Sequence, residues 1–275
     1  MLRIIVDSGS SIKQEEREHY GVDILPLRVQ MGNDSFLDGV DLSVDEFYER
    51  LIQFKEFPKT SLPSLEDAQN LVEGYTEQGD EVLIITISSG ISGTFQALKM
   101  LFDENEKVTV FDSQMAVGGV RFLVEEARKY EAEGMAVIVE KLNALVPRIV
   151  TAAIPETLDY LLAGGRLSKL SWMLGTMLSI KPIIGFVESK VTVLAKKRGL
   201  KQGMKQIIEM AQADNCDPAY GIVASYTYNK GNIDELIQMS PAEMQSMVKV
   251  YDNLIPSIAC HWGPNAFGYI YVKGE

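Results

Sequence analysis

The chain has 275 residues, 46% hydrophobic and 23% charged, enough for one large α/β domain or two smaller ones around a filled core. Its 26 basic and 38 acidic side chains leave a net charge of −12, a surface that repels phosphate backbones and anionic headgroups and so argues against nucleic acid and stable membrane insertion. Cys216 and Cys260 stand far apart without metal-ligand spacing, which argues against a disulfide framework and fits a reducing, cytoplasmic setting. No run is long and apolar enough to span a bilayer, and strand-like residues follow Met1 directly, with no signal peptide expected.

Through the first half, β-branched runs alternate with segments of helical period. Residues 3–7 and 24–30 predict strands. Ser43 and Glu46 make a capping box for a helix that carries Phe47, Leu51 and Phe54. Ser64 predicts the cap of a second helix, with Leu65, Ala68, Leu71, Val72 and Tyr75 on one face. The apolar run at 81–88 has the length of a parallel strand buried on both faces. A helix from about Gly93, a strand at 107–112 and helices at 119–130 and 135–145 follow. This alternation predicts an α/β fold on an open, mostly parallel sheet.

After Pro147 the texture changes. A strand at 151–154 and a helix at 157–162 ending on Gly164-Gly165 precede a Met- and Leu-rich stretch at 171–180, stopped by Lys181-Pro182. A hairpin of 183–187 and 190–194 turns on Glu188-Ser189, and further strands are predicted at 221–226, 247–251 and 267–272. The expected organisation is an N-terminal α/β domain, 1–150, with the mostly parallel sheet, and a C-terminal α/β domain, 151–275, with a mixed sheet and helices.

The sharpest local feature is Ser88-Ser89-Gly90-Ile91-Ser92-Gly93-Thr94, set between a buried strand and a helix. Open parallel sheets place ligands at their strands' carboxyl ends, and the N–H groups of a helix start beside small hydroxyls suit an anion. A helix cap at Ser92 or Thr94 accounts for the same residues equally well. Lys59-Thr60-Ser61-Leu62-Pro63-Ser64 reads as a proline turn and a helix cap. Asp7-Ser8-Gly9-Ser10 and Asp112-Ser113 end predicted strands on the edge that would also carry Ser92.

Of the two histidines, His19 lies in a charged, solvated run. His261, in the small-residue turn Ala259-Cys260-His261-Trp262-Gly263-Pro264, is the candidate for acid–base or carboxylate duty. A zinc site would need more ligands than this. The Met-rich stretch fits a core or an adaptable apolar tunnel. Lys196-Lys197-Arg198 with Lys201 is the one dense basic patch, either solvated or set to meet an anion.

Taken together, these segments resemble the DegV family, whose members include acyl-carrier subunits of bacterial fatty-acid kinase. Val6-Asp7-Ser8 comes first, and Thr60-Ser61-Leu62-Pro63-Ser64 matches the family's TSxPS. Ser88 through Thr94 matches SSxxSGT, and Asp112-Ser113 again follows a strand. Gly164-Gly165-Arg166-Leu167-Ser168 matches GGRxS, Ile180-Lys181-Pro182-Ile183 matches IKPI, and His261-Trp262-Gly263-Pro264 matches HxGP.

The resemblance implies a two-domain fold with one long-chain fatty acid, such as palmitate, stearate or oleate, in a tunnel between the domains. It implies that Thr60, Ser61, Ser92, Gly93 and His261 hold the carboxylate. Arg166 and Arg198 would flank the opening, where a fatty-acid kinase subunit docks and phosphorylates the carboxyl group. The protein would then be a cytoplasmic lipid-binding carrier in lipid transport and phospholipid synthesis, without cofactor, metal or catalytic residues of its own. The chain departs from the family pattern at Ala116-Val117-Gly118-Gly119-Val120-Arg121 and at Asn265.

Two other readings compete. A serine hydrolase of acyl esters would use Ser92 as nucleophile and His261 as base, but the chain lacks a GxSxG elbow and an acidic residue near His261. A Rossmann-like binder of phosphosugars or nucleotides could use the same loops, but no nucleotide fingerprint is present.

Overall fold

The computed structural model describes residues 1–53, 56–167 and 179–275. In chain order its strands are β1 (Leu2–Asp7), β2 (Val22–Leu25), β3 (Arg28–Met31), β4 (Asp34–Leu37), β5 (Lys59–Ser61), β6 (Glu81–Thr86), β7 (Val108–Asp112), β8 (Ile149–Ile154), β9 (Ile180–Val187), β10 (Lys190–Arg198), β11 (Ile222–Tyr226), β12 (Val248–Asn253) and β13 (Phe267–Val272). The helices are α1 (Arg17–Tyr20), α2 (Val44–Gln53), α3 (Leu65–Thr76), α4 (Thr94–Leu101), α5 (Gly118–Lys129), α6 (Met135–Leu145), α7 (Asp159–Ala163), α8 (Leu200–Ala213), α9 (Gly231–Met239), α10 (Ala242–Ser246) and α11 (Pro256–Trp262).

The continuous apolar strands pair in parallel as β2-β1-β6-β7, and Val82 through Ile85 of β6 are fully buried. A strand apolar on both faces needs cover on both. Ala68 and Val72 of α3 with Leu98 of α4 cover one face; α5 and α6 cover the other through Val120, Val124 and Leu142. The second sheet is mixed, in the order β10-β9-β8-β13-β11-β12, with only β11 and β12 parallel. Its outer face packs on Met204 and Ile207 of α8 and Leu236 of α9. Its inner face joins the core of the first sheet through Ile184, Val223 and Ile270. The α/β architecture, with one parallel and one mixed sheet, is as the sequence predicts. Among the described residues no helix is long and apolar enough to cross a membrane.

The structure differs from the sequence reading where prolines and short elements intervene. The strand predicted at 24–30 is two strands, because Pro26 has no N–H for the ladder; β2 stays in the parallel sheet and β3 leaves it. β3 joins β4 and β5 in a third, antiparallel sheet, so the predicted proline turn at 59–64 begins as a strand, with Thr60 opposite Val29. Pro182, expected to stop the Met- and Leu-rich stretch, lies inside β9 opposite Lys196 of β10, while the register of β9 with β8 is confined to Ile184 and Ala153. His261, expected in a turn, stands in the last turn of α11, a helix that Pro256 opens. Phe54, Ser168 and the Met-rich stretch as far as residue 178 lie outside the described residues.

Arg121, one of the departures from the family pattern, is structural. On α5 it is 1% exposed, and its two terminal nitrogens donate to Glu16 at 2.8 and 2.9 Å. It also reaches the Tyr20 hydroxyl at 3.3 Å and donates to the Ser11 carbonyl, with the buried Asp252 of β12 at 3.8 Å. Burial opposes the charge on Arg121, but Glu16 and Asp252 hold it protonated. Removing one member of a buried ion network strands the others. Arg121→Ala is therefore expected to destabilise the fold by about 3–5 kcal/mol in urea unfolding. A loss within the range of an ordinary surface substitution would show that Glu16 and Asp252 do not depend on it.

Candidate functional site

A cavity of about 230 Å³ lies between the carboxyl edge of the parallel sheet and the inner face of the mixed one. Its lining changes with depth. Ser61, Leu62 and Gly93 at the outer end are exposed; Thr60, Ser92, Arg166 and His261 are half-buried; Leu27, Ile87, Ala116, Leu161, Ile258 and Trp262 are buried. The cavity is thus polar and cationic outside and apolar inside.

The loops at the strand ends owe their shape to three carboxylates. Asp7 accepts from Gly9 N at 2.9 Å and Ile87 N at 2.8 Å. Asp112 accepts from Ser89 N at 3.0 Å and Ser89 Oγ at 2.6 Å, which fixes the start of the Ser88–Thr94 loop. Asp38 accepts from Ser8 Oγ at 2.7 Å and from Ser257 N at 3.1 Å, anchoring the first turn of α11. Burial raises the pKa of Asp7 to about 7 and also raises that of Asp38. The Asp7 and Asp112 turns do converge on the edge that carries Ser92, as expected, but as braces rather than as cavity lining.

That anchored helix delivers His261. Its Nε2 lies 2.8 Å from Thr60 Oγ1, so β5 and α11 meet across 201 residues of chain. Nδ1 is buried without a hydrogen-bond partner among the described residues. It faces Gly164, where a Cβ would lie 2.3 Å from it. The first glycine of the Gly164-Gly165 pair thus makes room for the imidazole. Burial, and then the nearby Arg166, push the His261 pKa down to about 3, so the ring is neutral at physiological pH. A neutral imidazole has one N–H. Placed on Nε2, it donates to Thr60 and leaves the Thr60 hydroxyl hydrogen for a third group, while Nδ1 keeps only a lone pair.

Arg166 lines the cavity and is held by its own carbonyl contacts. Nε donates to Ile91 O at 3.0 Å and Nη1 to Gly164 O. Burial lowers its pKa, and no carboxylate among the described residues pairs with it. Ser92 braces the start of α4 from one residue before its N-cap, Gly93, and also lines the cavity. Its Oγ accepts from Thr94 N at 3.2 Å, lies 2.9 Å from Thr94 Oγ1, and borders the cavity. At Gly93 a Cβ would meet only Leu62, at 3.6 Å, so neither space nor backbone demands a glycine there.

The hairpin of β9 and β10 closes the other side. Phe186 and Val191 line the cavity, and the turn between them rests on the Ser88–Thr94 loop through Ser88 Oγ and Ser189 O at 2.6 Å. Gly90 permits that approach, since a Cβ there would lie 2.0 Å from Ser189 O. Arg198 is not brought to the site. It is exposed at the far end of β10, seven residues from Val191, roughly 23 Å along a strand. Lys201 of the same basic patch pairs with Glu235 at 3.6 Å.

The family model described as "Uncharacterised protein, DegV family" matches residues 1–274. The chain belongs to the DegV family. It is 32% identical over 283 residues to a DegV domain-containing protein of Clostridium acetobutylicum, with 99% of each chain covered. Among solved structures it is similar to a fatty acid binding DegV family protein from Streptococcus agalactiae, with a TM-score of 0.89 at 27% identity over 100% of this chain and 99% of that one. A stearic acid-binding protein from Eubacterium ventriosum matches with a TM-score of 0.84 at 25% identity, covering 99% of this chain and 98% of that one.

Within this DegV site Ser92 and His261 do not form a nucleophile–base pair. The imidazole bonds to Thr60, the serine to Thr94, and no acid among the described residues orients Nδ1. The neutral histidine also has a thermodynamic signature. Unfolded His261 titrates near 6.5 and folded His261 near about 3. Between those values the unfolded chain binds more protons, so stability falls as pH falls. Relative to His261→Asn, the wild type is expected to lose up to about 1.4 kcal/mol per pH unit below that upper value in urea unfolding. Asp7 titrates with the opposite sign in both proteins and cancels. Parallel stability curves would mean that His261 protonates normally in the fold.

Proposed function

We propose that this chain binds one long-chain fatty acid, such as palmitate, stearate or oleate, in the cavity between an N-terminal domain, 1–150, and a C-terminal domain, 151–275. The observation that carries this is Arg166, a half-buried guanidinium without a carboxylate partner among the described residues, at the polar end of a cavity whose depth is apolar. Such a cation is costly unless an anion joins it. The anion must be small and carry an apolar body, which describes a fatty acid. Its carboxylate accepts from Arg166, from the Thr60 hydroxyl that His261 orients, and from Ser61, Ser92 and the Gly93 backbone at the rim. Its tail contributes about 0.8 kcal/mol per CH₂, roughly 10 kcal/mol for a long chain before ordering costs.

The likeness to solved structures that bind fatty acids supports this ligand. Resemblance to the acyl-carrier members extends the proposal: a carrier rather than an enzyme, working in the cytoplasm and presenting the carboxyl group to a fatty-acid kinase subunit. The exposed outer end of the cavity suits such a presentation. Arg198 lies too far out to touch the head group and is left as a docking contact for the kinase.

Protein purified from a bacterial host should yield roughly one fatty acid per chain by mass spectrometry of its lipid extract, and delipidation should lower its melting temperature. Arg166→Met is expected to weaken retention by about 1.5–3 kcal/mol, the range for a hydrogen bond to a charged group. Arg198→Ala should retain lipid normally and slow only acyl-phosphate formation with kinase and ATP. Lipid-free wild type that shows no thermal shift with palmitate or oleate would overturn the carrier proposal. An Arg198→Ala protein that empties would overturn the division of roles.

A further inference from the structure

A second, smaller void of about 20 Å³ lies beyond the inner end of the main cavity. The two are neighbours without being continuous. Trp262 lines both; Ala116 lines the larger, and the next residue, Val117, lines the smaller. Trp262 and the Ala116-Val117 segment are therefore what the two spaces share. The smaller void is also lined by Ala266, which precedes β13, and by Gly268 and Ile270 of β13. The void has room for a group of water or methyl size. Its hydroxyls are Thr151 and Ser225, and Ser225 Oγ is buried without a partner among the described residues.

Two features of this region run against stability. Val117 holds φ 60° and ψ −141°, a backbone conformation that a β-branched residue adopts only under constraint. Close packing would also fill the void, since a gap of that size forfeits dispersion contacts around its lining. Strain and a void side by side, at the buried end of a ligand cavity, point to a boundary set by something besides packing. Trp262 occupies the variable position of the HxGP segment, one residue after the histidine that sets the head-group end. The same short helix therefore carries His261 at the polar end of the cavity and the buried Trp262 beside it.

We propose that Trp262 is the length-determining residue of the acyl chamber: it ends the tail's path short of the second void and so selects shorter fatty acids than a continuous chamber would take. This rests on the fatty-acid reading of the cavity. A smaller side chain at position 262 merges the two spaces and admits longer tails. A larger one at position 266, in the lining of the smaller void, closes that extension again.

The test uses full-length wild type, Trp262→Phe, and Trp262→Phe combined with Ala266→Val, expressed in one host and extracted for mass spectrometry of bound acyl chains. Trp262→Phe keeps an aromatic ring in the core and is the variant least disposed to unfold. Delipidated samples of each are then melted with a ladder of saturated fatty acids of increasing length. The expected result is a shift of the bound-lipid maximum and of the best-stabilising ligand to longer chains in Trp262→Phe, and a return towards wild type in the double variant. If wild type carries fatty acid and all three proteins share one length profile, Trp262 is core packing and the inference is overturned. A longer-chain shift that Ala266→Val fails to reverse also overturns it, because the extension then does not run into the second void. Wild type that binds no fatty acid at any length overturns the reading of the cavity itself, and the inference with it.

Discussion

A guanidinium placed at the mouth of an apolar cavity, without a carboxylate partner among the described residues, sets the terms for the rest of this site. Arg166 cannot lose its charge at physiological pH, and its bonds to the Ile91 and Gly164 carbonyls satisfy hydrogens without supplying a counter-charge. A second cation beside it would repel it. His261 accordingly sits where burial and Arg166 itself keep the imidazole neutral. Among the described residues the pocket lining then offers one permanent positive charge and a set of hydroxyls, which matches a carboxylate. A phosphate monoester, with about two charges at neutral pH, would call for more cations than this.

The carboxylates that do lie near the site face away from it. Asp7, Asp38 and Asp112 accept from backbone and serine donors in the loops that shape the mouth. On a chain of net charge −12 this matters. The same acidic residues that would quench Arg166 are instead committed to holding Ile87, Ser89 and Ser257 in place. Burial raises the Asp7 pKa to about 7, because only two backbone hydrogen bonds offset its loss of hydration. Such braces cost stability in isolation and are repaid through the loop geometry they enforce.

The α/β frame was legible because its signals are long. Val82 through Ile85 read as a doubly buried strand, and Ser64 caps α3 through Asp67 N at 3.1 Å as its position predicts. The polar end of the site was legible through short ordered motifs, and Thr60, Ser61, Ser92, Gly93, Arg166 and His261 do line one cavity. What stayed hidden depends on contacts remote in sequence. β5 has three residues, too few for a period, and exists because Val29 offers it an edge. The reason for Gly164 is the imidazole of a residue 97 positions later, and that for Gly90 is a carbonyl in the β9–β10 turn. Arg198 is not among the lining residues for a related cause. It ends a nine-residue strand whose cavity-lining residue, Val191, stands near the other end.

The gradient of exposure along the cavity bears on which way round a ligand lies. Hydrogen bonds to the head group replace bonds to water and contribute about 1.5–3 kcal/mol each when charged, whereas a long tail contributes roughly 10 kcal/mol. Affinity alone would therefore bury the whole molecule and leave the head group wherever the tail put it. The residues do not follow that economy: hydroxyl donors sit where solvent reaches them, at Ser61 and Ser92, and the apolar residues sit where it does not, at Ile258 and Trp262. A carboxylate held at such a rim stays accessible while its tail is out of water. The polar and the apolar parts of such a ligand thus find their partners at opposite ends of one cavity. The helix that spans them, α11, is fixed at its start by Asp38 and at its end by the fit of His261 against Gly164.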